Sequence, residues 1–126
     1  VRKRPDRDVL YSLDHVPHPK MVRQVTAAEV KEKLDNGGDI QVIDIRLPRQ
    51  FKAGHIPGAE NIPFAEFPKR VQEFDWGDEI VVVCPKGESS QQACRLLESY
   101  EGVDESATVC NLEEGYRGWD YELETE

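Results

Sequence analysis

No apolar run in this chain approaches the roughly 18 residues that a bilayer-spanning helix needs, and no signal-peptide pattern is read in it. Positive charge is scarce as well. Sixteen basic against 25 acidic side chains give a formal net charge of −9 over 126 residues. That balance excludes a protein that grips nucleic acid through a basic stripe, and one that docks on anionic lipid. The deficit is uneven: residues 1–20 hold five basic and three acidic side chains, leaving 11 basic and 22 acidic over 21–126. So acidic an exterior favours solubility, and a salt-adapted cytoplasm is another explanation. Cysteine is limited to Cys84, Cys94 and Cys110, an odd number without paired spacing. No disulfide framework follows, and a reducing cytoplasm fits best. The three are too far apart for a zinc site of the usual kind, and the one close histidine pair, His15 and His18, lies near the amino end. No metal and no cofactor are expected.

What is present is enough for one modest core. The apolar fraction is 38% and the charged fraction 33%, with periodic apolar segments through most of the length. Residues 1–20 lack periodicity, contain Pro5, Pro17 and Pro19, and read as a flexible extension before a domain over 21–126. Thr26 with Glu29 makes a capping-box pattern, Ala27, Val30 and Leu34 follow at helical spacing, and Asn36-Gly37-Gly38 stops the helix. "IQVIDI" (40–45) is a β-branched strand, and a brief strand is expected near Ala59–Ile62. Residues 64–74 carry Phe64, Phe67, Val71 and Phe74 at helical spacing, interrupted by Pro68. "EIVVVC" (79–84) has the unbroken apolar character of a strand buried on both faces. A helix with Ala93, Leu96, Leu97 and Tyr100 on one side follows, then a strand over 107–112 and a terminal helix over Gly115 to Leu123. Strands alternating with helices imply a parallel sheet covered on both faces, with ligands beyond the carboxyl ends of the strands.

Cys84 stands at such an end. The loop after it, Pro85, Lys86, Gly87, Glu88, Ser89 and Ser90, is polar and leads into a helix amino terminus. Its amides can curl into an anion-binding nest to which the helix adds its positive dipole end. A thiolate is favoured there over a thiol, which makes the cysteine a nucleophile near neutral pH. Gly87 permits the curl, and Ser89 and Ser90 can cap the helix or donate to a bound anion. The bland alternative is a small buried hydrophobe, and the polarity of the loop argues against it. A cysteine-dependent phosphatase needs an arginine six positions on to clamp phosphoryl oxygens; Ser90 occupies that place.

Three segments together resemble the rhodanese (sulfurtransferase) family. "IDIRLPRQFKAGHIPGAENIP" resembles its Asp-x-Arg … Gly-His-Ile-Pro-Gly-Ala segment, "VVVCPKGESSQQACRLL" its Cys-x-x-Gly-x-x-Ser loop, and "NLEEGYRGWDYEL" its closing segment. In register they cover about residues 22 to 123. The resemblance implies a rhodanese-like α/β fold, a parallel five-stranded sheet flanked by helices on both faces. It implies that Cys84 takes a sulfane sulfur from thiosulfate or another persulfide donor, holds it as a persulfide, and yields it to a thiol or cyanide. A protein persulfide is a further candidate donor, and neither nucleic acid nor membrane is an expected partner. A non-catalytic interaction module of the same fold, docking through its acidic surface, and a sulfur-relay carrier are the alternatives.

Asp44 and Arg46 match the family's Asp-x-Arg and are expected either to hold loop and substrate or to pair with each other. His55 reads as a turn-stabilising residue, Trp119 as a core anchor and Cys94 as packing. Cys110 is expected to end a strand on the same sheet face as Cys84, where a resolving disulfide would give redox control. Many thiosulfate-using members carry an arginine where this loop has Ser89, and Glu88 adds negative charge instead. Gln50 stands where an acidic residue is frequent and Glu114 where the first closing glycine is usual, which reads as local rearrangement.

Overall fold

The computed structural model describes residues 22–126; the extension expected over 1–20, with His15 and His18, lies outside the described residues. Among the described residues there are five strands: β1 (Arg23–Val25), β2 (Gln41–Asp44), β3 (Glu60–Asn61), β4 (Glu79–Val83) and β5 (Thr108–Leu112). They form one sheet in the order β1-β5-β4-β2-β3, and every pairing is parallel. The most apolar strand, β4, is central, as its buried pattern on both faces requires. Among the described residues no helix is long and apolar enough to cross a membrane.

Alternate residues of β4 feed two separate cores. Ile80, Val82 and Cys84 face a cluster containing Phe67, Val71, Ala93, Cys94 and Leu97. Val81 and Val83 face another with Val30, Ile56, Cys110, Leu112 and Trp119. Helix α1 (Ala27–Asp35) therefore covers one face, while α3 (Phe67–Arg70) and α4 (Ser89–Ser99) cover the other. The expected capping box is present: Thr26 Oγ1 accepts from Glu29 N at 3.1 Å, and Thr26 N donates to Glu29 Oε1 at 2.8 Å. Gly37 ends the helix at φ 71°.

Several elements differ from expectation. Strand β1 and helix α2 (Pro48–Ala53) had no sequence signal of their own, the first being a three-residue sheet edge and the second a single turn and a half. The helix expected over 64–74 is broken into a 3-10 turn (Phe64–Glu66), α3, and a second 3-10 turn (Val71–Glu73). Pro68 occupies the first turn of α3, where its missing N–H costs nothing, so it opens that helix rather than interrupting one. The terminal helix is reduced to one 3-10 turn, Gly115–Gly118, because Gly115 takes φ 60° and Trp119 turns extended.

Candidate active site

Strand β4 delivers Cys84 to the carboxyl edge of the sheet, with α4 beginning five residues later. The loop between them closes around the sulfur. Gly87 N donates to Cys84 Sγ at 3.0 Å, and the amides of Lys86 and Ser90 also point to it. Ser90 Oγ lies 3.2 Å from the same sulfur. Burial, which leaves Cys84 only 2% exposed, pushes the thiol up. The hydroxyl of Ser90 and the three amides outweigh it, and the Cys84 pKa falls below the ordinary thiol value.

Two glycines make the cradle. Gly87 turns at φ 85°, and a Cβ there would lie 2.1 Å from the Glu113 carbonyl oxygen. Gly115 turns at φ 60°, and a Cβ there would lie 2.0 Å from the Cys84 carbonyl oxygen. The segment after β5 thus packs directly beneath the loop. Tyr116 N donates to Cys84 O at 2.9 Å and Arg117 N to Pro85 O at 3.0 Å, fixing the chain on both sides of the thiol.

The loop residues are unequal. Pro85, Lys86, Glu88 and Ser89 are exposed, and Gly87 and Ser90 are buried. Of the two roles expected for the serines, capping α4 is taken by neither. Glu88 holds the N-cap position without a side-chain bond, Ser89 is the first helical residue, and the Ser90 hydroxyl turns inward to the sulfur.

Asp44 and Arg46 pair with each other. Arg46 Nη2 lies 2.8 Å from Asp44 Oδ2, and its Nε reaches both carboxylate oxygens at 3.1 Å. Arg46 also donates to Gly54 O at 2.6 Å and stacks 3.7 Å from the Tyr116 ring centroid. Tyr116 Oη donates to Asp44 Oδ2 at 2.8 Å, and burial together with that carboxylate pushes its pKa up. The pair therefore bears on the loop indirectly, by anchoring the tyrosine whose amide holds the Cys84 carbonyl. His55 stabilises its turn, with Nδ1 2.8 Å from Phe51 O and its ring stacked 3.8 Å from that of Phe51. Trp119 is buried in the α1-side core.

The other cysteines serve packing. Cys94 donates to Cys110 O at 3.3 Å, and burial pushes its pKa far up. Cys110 is paired in register with Val81, in mid-strand and on the face opposite Cys84. The expectation that it shares the face of Cys84 fails, and with it the resolving disulfide; the period-two alternation of a strand, counted from Val81, places it on the other side. Nor do the two departures force a rearrangement. Gln50 Oε1 accepts from Leu47 N at 3.0 Å, as an acidic side chain would, and Glu114 sits at φ −104°, open to any residue.

One residue near the thiol escaped sequence reasoning. Asn111 of β5 is fully buried, accepts from the Ser90 hydroxyl, and donates to Gly87 O at 3.1 Å and Gln24 Oε1 at 2.8 Å. A polar amide inside "TVCNL" was the available signal, since a buried amide is kept only where it is bonded.

A family model described as Rhodanese-like domain matches residues 26–122. A Bacillus subtilis protein whose name includes "sulfur carrier protein" is 30% identical over 98 residues, 78% of this chain, which spans only 51% of that relative's length. A thiosulfate sulfurtransferase of Pseudoalteromonas translucida is 32% identical over 98 residues, covering 78% of this chain and 89% of that one. Among solved structures, a rhodanese-like domain protein from Staphylococcus aureus superposes with a TM-score of 0.71 at 27% identity, covering 83% of this chain and 99% of that one.

Proposed function

The chain belongs to the rhodanese-like domain family, and from that premise we propose that it is a sulfurtransferase whose nucleophile is Cys84. The observation that carries this reading is the cradle: uncharged donors converge on a sulfur at the end of a central parallel strand. The domain we assign to this role runs from 21 to 126, with 1–20 as an appended segment.

The chemistry follows from that geometry in two steps. In the first, the Cys84 thiolate attacks the outer sulfur of the donor. With thiosulfate, a new S–S bond forms on Cys84, the bond to the sulfonate sulfur breaks, and sulfite leaves with the electron pair. In the second, a thiol or cyanide attacks the outer sulfur of the persulfide, and the Cys84 sulfur departs as thiolate. No proton or metal is needed, because preorganised amides stabilise the anionic sulfur in both states. A persulfide also moves the reacting atom about 2 Å further out, the length of an S–S bond. That extension makes an almost wholly buried cysteine usable by an acceptor that stays at the mouth of the loop.

Lys86 is the loop's cation and Glu88 its opposing charge, so an anionic donor gains little net attraction there. This favours a second reading of the same site, a relay carrier fed by a protein persulfide, in line with the name of the Bacillus subtilis relative. Three free, buried cysteines accord with work in a reducing compartment such as the cytoplasm. Steady-state rates of thiocyanate formation, measured across thiosulfate and cyanide concentrations, test the enzyme reading. Parallel double-reciprocal lines, lost in Cys84→Ala, are expected. Turnover that survives Cys84→Ala overturns it, and no turnover with thiosulfate but sulfur uptake from a protein persulfide assigns the chain to the relay.

A further inference from the structure

Among the described residues, the hydrogen bonds behind Cys84 join its sulfur, Ser90, Asn111, Gly87 and Gln24 in one chain. Gly87 O and Gln24 Oε1 accept from Asn111 Nδ2, and a backbone carbonyl can do nothing else, so the orientation of the Asn111 carboxamide is determined. Its Oδ1 must then face Ser90 as an acceptor, and the single hydroxyl proton of Ser90 points at it. Ser90 Oγ is at the same time 3.2 Å from Cys84 Sγ. One proton therefore stands between two acceptors whenever the sulfur is ionised. Both Ser90 and Asn111 are fully buried, so the competition plays out away from bulk solvent.

The states of Cys84 resolve it differently. A neutral thiol donates its own S–H to Ser90 Oγ, and Ser90 donates on to Asn111. A persulfide has no hydrogen on the inner sulfur, and Ser90 stays with Asn111. A thiolate is the stronger acceptor, and the hydroxyl swings to it, leaving Asn111 Oδ1 without that bond.

We propose that Asn111 is a positioning residue that parks the Ser90 hydroxyl proton while Cys84 is a thiol or persulfide and releases it to the sulfur as thiolate forms. In the second half-reaction the acceptor attacks the outer sulfur, the S–S bond breaks, and the electron pair goes to Cys84 Sγ. The hydroxyl reorients to that leaving sulfur with no proton transferred, so the step balances without a further reagent. Asn111 thereby sets how far the cradle favours thiolate over persulfide, a property the loop amides alone would otherwise fix. The proposal rests on the persulfide reading only for this half-reaction; the thiol–thiolate exchange stands on geometry.

Other charged and titratable groups stand on the segments packed around the sulfur. Lys86 and Glu88 stand on the loop, Glu113 and Glu114 after β5, and Tyr116 and Arg117 on the last turn, with the Asp44–Arg46 pair beyond and Cys94 on α4. The hydrogen bonds described to the sulfur itself come from uncharged groups, so the Ser90–Asn111 link can be read separately from these charges.

The test uses the full chain without any sulfur donor. Iodoacetamide alkylation of Cys84, read by peptide mass across pH, gives the midpoint of its ionisation. Ser90→Ala should raise that midpoint by about one unit, a tenfold loss of thiolate below it. Asn111→Leu should lower it, because Ser90 is then free for the sulfur while Gly87 O keeps Gln91 Nε2 at 3.4 Å as a donor. In the Ser90→Ala background, Asn111→Leu should have no further effect. A merely structural clamp would instead raise the midpoint in either background, and that result overturns the proposal. Should the leucine variant fail to fold, the native chain still decides. The Asn111 carboxamide resonances should titrate with Cys84 in the native protein and stand still in Ser90→Ala; resonances indifferent to the thiol in the native protein overturn it. Failure to take up sulfur with these titrations intact would refute the persulfide reading and leave the Asn111 role standing.

Discussion

Gly87 and Gly58 make nearly the same backbone turn, φ 85° and 84°, but their substitution should have unequal consequences. At Gly58 nothing lies within 4 Å of an added Cβ, so Gly58→Ala should cost only the left-handed conformation, about 1–2 kcal/mol, with Cys84 alkylation unchanged. At Gly87 the added carbon would meet the Glu113 carbonyl, backbone against backbone, and Gly87→Ala should displace the amide from the sulfur. Thermal unfolding and alkylation rates separate the two: similar losses of reactivity in both variants would contradict the cradle. The thiol itself carries a pH signature. Because its pKa is lowered, Cys84 should be alkylated at pH values where an ordinary cysteine is still protonated, and its rate should fall only as pH drops through the depressed midpoint. Cys94 and Cys110, whose pKa values are raised by burial, should stay unreactive in the folded chain over that range.

At the scale of elements, the loop and α4 act as one unit with the segment after β5. The nucleophile and the glycine of the curl were legible because a strand end, a glycine and a helix start occur in immediate succession. The serines' orientation was not, because the N-cap Glu88 and the inward first-turn Ser90 are only two positions apart in sequence and face different ways. Gly115, Tyr116 and Asn111 reach the loop from a distant segment, and contacts of that range leave no local pattern. Strand β1 was lost for a similar reason, since three residues are too few for a period to show, whereas the two-residue β3 was expected from the turn residues that flank it. The capping box of α1, by contrast, is a purely local device and was read correctly. Thr26→Ala should cost about 0.5–2 kcal/mol by chemical denaturation while leaving the Cys84 alkylation rate alone, since α1 covers the face opposite the thiol's core.

For the molecule as a whole, the acidic surface and the two-sided sheet answer different demands. The alternation of apolar segments made the α/β class and the parallel sheet legible, yet which strand face each residue takes depends on register. That is why Cys110, which is level with Val81 in the neighbouring strand, was given the wrong face. The sheet separates the two cores, and the face that holds Cys84 is also the one on which α4 packs. Leu97, fully buried there, should cost about 2–5 kcal/mol on replacement by alanine, and the loss should be seen in global unfolding rather than in the thiol's midpoint. The most direct measurement of the central claim is the intact mass of the full chain after incubation with thiosulfate and, separately, with a protein persulfide donor. The account predicts one added sulfur atom with at least one donor, located on the Cys84 peptide and absent from Cys84→Ala. No added sulfur from either donor, or an adduct that persists without Cys84, would contradict it.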